Sequence, residues 1–147
     1  EAKQEQQKQE QAEQMEESLE EAKAQYKYNV GASHNFVLVV PDSVDVDGVK
    51  NVTSNFNRKY FSTKGYKTTS IPLKEGKTMV VVSDIGIAPK SLDYFNTFTK
   101  ASPETKEMLA SGVVPFTISF DNYAYFYKSQ LVEAYIAFFN EEYLKEK

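Results

Sequence analysis

The sequence predicts an α+β fold: four short strands alternating with helices in the order β-α-β-β-α-β-α, behind a charged N-terminal arm. Three observations predict it. Runs of β-branched and aromatic residues of strand length recur four times between residues 34 and 120. The apolar residues between those runs recur three or four apart, the period of an amphipathic helix. Gly, Pro and Asp/Asn/Ser residues punctuate the junctions. At 147 residues the chain is long enough for one ordinary domain and too short for two.

The first 25 residues are low in complexity. Seven of the eight glutamines lie there, with no Gly or Pro and almost no bulky apolar residue. Glu, Gln, Lys and Ala all favour helix. Met15, Leu19, Ala22 and Tyr26 make a stripe of 4, 3, 4 spacing, too weak to hold a coiled coil alone. Residues 1–27 therefore read as a charged helical or disordered arm, with a short partner-binding coil as the alternative.

From Tyr28 the character changes, and residues 28–147 read as the globular domain. His34–Val40, closed by Pro41, is a buried strand. Asp45-Val46-Asp47 can cap a helix whose face is Val46, Val49, Val52, Phe56 and Tyr60. Tyr66–Leu73 alternates, with Thr69, Ile71 and Leu73 on one side and Thr68 and Ser70 on the other. Lys74–Lys77 is a hairpin turn, and Thr78–Ser83 is apolar enough to be a central strand. Pro89 suits the first turn of a helix carrying Leu92, Phe95 and Phe98. Ser102-Pro103-Glu104 reads as the cap and first turn of a short helix that Gly112 ends. Val113–Phe120 is the fourth strand, with Phe116, Ile118 and Phe120 opposite Thr117 and Ser119. Asp121-Asn122 would cap one closing helix, with a stripe of Tyr127, Leu131, Ala134, Tyr135, Phe138, Phe139 and Tyr143.

This order is the ferredoxin-like, or split βαβ, arrangement with an added C-terminal helix. It places strands one and three at the centre of an antiparallel sheet, with both crossover helices on one face. The aromatic stripe of the last helix is too large to leave wet. It must cover a sheet face, cover a sheet edge or meet a partner.

Charge and composition exclude several function classes. Residues 1–27 hold eight Glu and four Lys, which accounts for the whole net charge of −4. The remaining 13 acidic and 13 basic residues balance, so no net field draws nucleic acid or anionic lipid. The absence of cysteine removes disulfides, thiolate zinc sites and a Cys nucleophile. No window approaches the roughly 20 apolar residues of a membrane span. The chain opens at Glu1 with no signal peptide, so a mature or excised fragment is expected.

No catalytic constellation emerges, and the chain is expected to have no enzymatic activity, cofactor or metal. His34 is the only histidine and Arg58 the only arginine. His34 suits a capping or edge-satisfying role. Asp42, Asp45 and Asp47 lack the spacing of a calcium loop and read as helix-capping residues. The six scattered glycines form no phosphate-binding loop. The central strands lack the basic and aromatic signature of an RNA-binding sheet. The oddity is aromatic: ten of the 20 Phe and Tyr residues lie between Phe116 and Tyr143. Phe116, Phe120, Phe126, Phe138 and Phe139 are expected in the core. Tyr123, Tyr127, Tyr135 and Tyr143, with Tyr125, are candidates for an amphipathic partner-binding surface.

His34-x-Phe36-Val37-Leu38-Val39, Asp47-x-Val49-Lys50, Phe56-Asn57-x-x-Tyr60-Phe61, Leu92-x-Tyr94-Phe95, Phe116-x-Ile118-Ser119-x-Asp121-Asn122 and Tyr135-x-x-Phe138-Phe139 together resemble the C-terminal domain that follows tetratricopeptide repeats in a family of Bacteroidota envelope lipoproteins. These are the SprE/PorW-like proteins of gliding motility and type IX secretion. The resemblance runs from about His34 to Tyr143. It implies a non-catalytic protein–protein interaction or assembly module in the periplasm or at the outer membrane. It also implies a protein partner in the cell envelope, and membrane attachment only through a lipid anchor outside this stretch. On this reading the contact surface is the tyrosines of the last helix or the edge strand near Thr68 and Ser70. The βαββαβ order is also that of SPOR domains, which bind peptidoglycan glycan strands. That alternative expects an open sheet face with polar groups such as Thr69 or Thr117.

Overall fold

The computed structural model describes residues 2–100 and 102–145, with side chains from Glu5 onward. Residues 1, 101, 146 and 147 lie outside it, and with them the outermost residues of both predicted domains. The chain divides into two compact units, Asn29–Tyr123 and Glu1–Tyr28 with Ala124–Lys147. This differs from the predicted grouping, because residues 124–147 fall with the arm and not with the sheet.

The first unit carries the α+β fold. Its elements are β1 (His34–Val40), α2 (Val46–Tyr60), β2 (Thr68–Pro72), β3 (Thr78–Gly86), α3 (Ala88–Lys100), α4 (Pro103–Ala110) and β4 (Val114–Ser119), after the N-terminal helix α1 (Ala2–Ala24). The strands form one antiparallel sheet in the order β2-β3-β1-β4, the ferredoxin-like topology. Strands β1 and β3 are central, as their near-continuous apolar sequences require. Register places Phe36 beside Val82 and Thr117, and Val82 beside Thr68, so these residues share a face. Helices α2 and α3 cover that face. The Phe36 ring centroid lies 4.8 Å from those of both Tyr94 and Phe98 of α3, and Phe56 of α2 lies 4.8 Å from Phe98. Val37, Val39, Val81, Phe116 and Ile118 on the other face are buried too.

The caps follow local chemistry. Asp45 Oδ2 accepts from the Gly48 amide at 3.2 Å and starts α2, while Ser102 Oγ accepts from the Thr105 amide at 3.2 Å and starts α4. Leu73 N donates to Lys77 O at 2.8 Å, closing the hairpin through Glu75 and Gly76, both at positive φ. β3 runs three residues beyond its predicted end, through Asp84-Ile85-Gly86. A register shift between His34 and Phe36 accommodates the extra length.

The closing helix is two helices, α5 (Phe120–Ser129) and α6 (Val132–Glu142). Ser119, and not Asp121 or Asn122, supplies the side-chain acceptor at its start, its Oγ 3.3 Å from the Asn122 amide. Gln130 breaks the run at φ 54°, its amide bonded to Phe126 O at 2.7 Å. A left-handed residue just past a helix is the usual stop, but it is normally Gly or Asn. A glutamine there gives no sequence signal.

In the second unit α1 packs against α6 through its last turn. Ala22 and Tyr26 are buried, and Lys23 pairs with Glu141. Residues 5–18 of α1 are exposed, Met15 included. Of the predicted stripe, Ala22 and Tyr26 are buried, and Tyr26 packs on Tyr125 of α5 and on Tyr135 and Phe138 of α6.

Candidate functional site

The four tyrosines predicted to bind a partner do not form one surface. Tyr135 is fully buried and Tyr143 is 6% exposed. Tyr135 packs edge-on to Tyr26 at 4.8 Å and to Phe126 at 6.0 Å, and Tyr143 stacks on Phe139 at 5.0 Å. Burial pushes both hydroxyls well above the ordinary tyrosine range. These two are core residues, because α6 turns its stripe towards Tyr26 and Tyr28 and not to solvent. Tyr127 is 46% exposed and Tyr123 half-buried, both on α5 beyond the break at Gln130. The opposite correction applies to Phe120. Expected in the core, it is 70% exposed at the first position of α5. The strand ends at Ser119, so the alternation that would have turned Phe120 inward stops one residue short.

His34 is the first residue of central β1, not an edge residue, and its Nδ1 donates to Ala32 O at 2.7 Å. Burial pushes its pKa below 6.5, the Ala32 and Gly86 backbones partly opposing the shift. The folded chain therefore favours the neutral ring, whereas the unfolded chain takes up a proton as pH falls through about 6.5. His34 stability is present above that pH and lost below it. Denaturant midpoints at about pH 7.5 and 5.5 should fall on acidification. They should fall less in His34→Gln, and equal falls would mean that other groups carry the acid sensitivity.

Thr117, named as a polar group of an open sheet face, is buried on the helix-covered face, where Ser91 Oγ donates to its hydroxyl at 3.2 Å. Thr69 is exposed on β2. Among the described residues, no group of three or more His, Cys, Asp or Glu could hold a metal ion. No described helix is long and apolar enough to cross a membrane.

A groove beside the start of β2 is made of two hollows that share Phe61 and Tyr66. One, of ≈ 260 Å³, is walled by Ser54, Asn57, Arg58, Ser62 and Thr68. The other, of ≈ 390 Å³, is walled by Lys64, Asp84, Ile85, Gly86, Lys90 and Asp93. The loop 61–67 that joins α2 to β2 supplies the shared rings. Phe61 stacks on Tyr94 at 5.1 Å and Tyr66 meets Tyr94 edge-on at 5.8 Å. Tyr94 is held from behind, donating its hydroxyl to Asn57 Oδ1, while the Asn57 amide reaches the Thr68 hydroxyl at 3.5 Å. A polar chain, buried at Tyr94 and part-buried at Thr68, thus connects α3, α2 and β2.

The far wall holds a backbone outlier. Asp84 sits at φ 57°, a region costly to residues other than Gly and milder for Asp. Ser33 Oγ donates to its carboxylate at 2.7 Å, and its own amide donates to Asn35 Oδ1 at 2.9 Å. Gly86 follows at φ 109°, and a Cβ there would come within 3.0 Å of the Lys90 stem. The register shift, the positive-φ aspartate and the glycine all fall at the end of β3 that lines the groove.

Alongside the groove runs β2, hydrogen-bonded only to β3 at the edge of the sheet. Its residues are largely exposed, and its side chains are mostly small hydroxyls. A second exposed feature lies at the His34 end of the sheet, where Val30, Ile87 and Phe120 are each more than 40% exposed. Backbone bonds from Ala88 N to Val30 O and from Phe120 N to Ser33 O bring these segments to that end. Sequence reasoning missed Asp84 and named Tyr94 only within the resemblance, without a place in the core or the groove. Tyr94 was recoverable from its spacing of three and four residues from Ser91 and Phe98.

No family model, curated protein or solved structure matches the chain.

Proposed function

We propose that the chain is a non-catalytic protein–protein interaction module of a cell-envelope protein, and that it meets its partner at the β2 edge and the adjoining groove. The observation that carries this reading is the combination of a largely exposed edge strand with a groove beside it. An edge strand presents backbone donors and acceptors that an extended partner segment can pair. The groove adds an apolar contact at Phe61 and Tyr66 for an adjacent side chain. The envelope setting comes from the resemblance to the SprE/PorW-like domains, in which assembly and not chemistry is the task.

A photo-reactive amino acid placed at Ser70, at Phe120 or at Glu107 of exposed α4 tests the reading in intact cells of the native host. Adducts with one protein are expected from position 70 and not from position 107. Adducts from 120 with none from 70 would move the contact to the Val30–Ile87–Phe120 end, and adducts at none of the three would remove the reading.

A further inference from the structure

We infer that the segment bound at β2 is an extended, acidic stretch of a partner protein; this rests on the reading of β2 as the contact edge. Charge is the first argument. Between Arg58 and Lys77 the chain holds six basic residues and one acidic residue, a local net charge of +5 in a chain of net −4. The balanced composition of residues 28–147 conceals this patch. Lys64, Lys67 and Lys77 make no ion pair among the described residues, so their charge is not spent within the fold.

Geometry is the second argument. The lysines flank β2 and do not sit within it. Thr68, Thr69 and Ser70 offer a second strand short, uncharged side chains, and Pro72 ends the edge that can pair. A strand added there would present side chains of like orientation about 7 Å apart, a spacing that lets successive carboxylates meet flanking ammonium groups. The same lysines repel a second copy of this edge, which disfavours pairing between copies of the chain. Nucleic acid fits less well. It has no backbone amide to pair with an edge strand, and Asp84 and Asp93 line the groove that a continuous polyanion would have to follow.

Fluorescence anisotropy with the full chain tests the inference. The probes are a labelled peptide of alternating glutamate and threonine, its lysine–threonine counterpart, the acidic peptide N-methylated at alternate residues, and an oligothymidylate. The acidic peptide should bind at least about tenfold more tightly than the other three, and more weakly as salt is raised. The exposed pair Lys64→Glu/Lys67→Glu should lose about tenfold in affinity for it with an unchanged melting temperature. Equal binding of the two charged peptides would overturn the acidic assignment while leaving β2 as an edge for pairing. Equal binding of the N-methylated form would overturn strand addition itself. Tighter binding of the oligothymidylate would overturn the choice of a peptide. No binding of the acidic peptide would also overturn the inference, while the cross-linking at Ser70 would still decide whether β2 is a contact edge at all.

Discussion

Replacing Tyr94 by alanine is expected to lower the unfolding free energy by about 3–5 kcal/mol, with a fall in melting temperature of roughly 10–20 °C. The ring is buried at the meeting point of α3, α2 and the 61–67 loop, with Phe36, Phe56, Phe61 and Tyr66 centroids all within 5.8 Å. Its removal leaves a cavity that the fixed sheet beneath cannot close. Tyr94→Phe separates packing from hydrogen bonding. It keeps the ring but takes the donor from Asn57 Oδ1, and about 1–3 kcal/mol is expected for the unmet buried acceptor. Because Tyr94 backs both Phe61 and Tyr66, the alanine variant should also loosen the groove, seen as faster amide exchange across residues 61–68. Thermal and urea unfolding of the three proteins measure the energies. Equal losses for Phe and Ala would place the whole contribution in the hydroxyl and discard the packing argument.

Tyr135→Ala is expected to have an effect of similar size in the other unit, about 3–5 kcal/mol. Its ring touches Tyr26 at the end of α1 and Phe126, Phe138 and Phe139 of the closing helices. Hydrogen exchange should therefore speed up in residues 20–28 and 132–142 together. Exchange that rises in α6 alone would show that the arm does not dock there. Tyr26→Phe is the companion control. The Tyr26 hydroxyl is buried without a hydrogen-bond partner, the Ser129 hydroxyl lying near it without closing a bond, and burial pushes it up to about 12. Losing that hydroxyl removes an unsatisfied group, so stability should stay level or rise by up to about 1 kcal/mol.

The contrast between Tyr135 and Tyr127 shows where sequence periodicity stops. Both belong to the predicted stripe, yet one is core and the other exposed, because Gln130 rotates the chain between them. No Gly or Pro marks that break. A left-handed glutamine costs on the order of 1 kcal/mol, and packing on both sides of it supplies that. The same limit applies to Phe120, whose side was decided by where β4 ended, and to Asp84, whose conformation depends on Ser33 and Asn35 some fifty residues earlier.

Local chemistry alone was enough for the order of the strands and of the helices between them, the central places of β1 and β3, and the caps at Asp45 and Ser102. Each depends on residues close together in the chain: alternation, three-to-four spacing, a side chain reaching an amide three residues on. Tertiary contacts decided which apolar faces found covers and that the acidic arm packs on α6. The physical reason is that a pattern identifies the buried side of an element, whereas the identity of the covering surface is a property of contacts distant in sequence, which a single period does not encode.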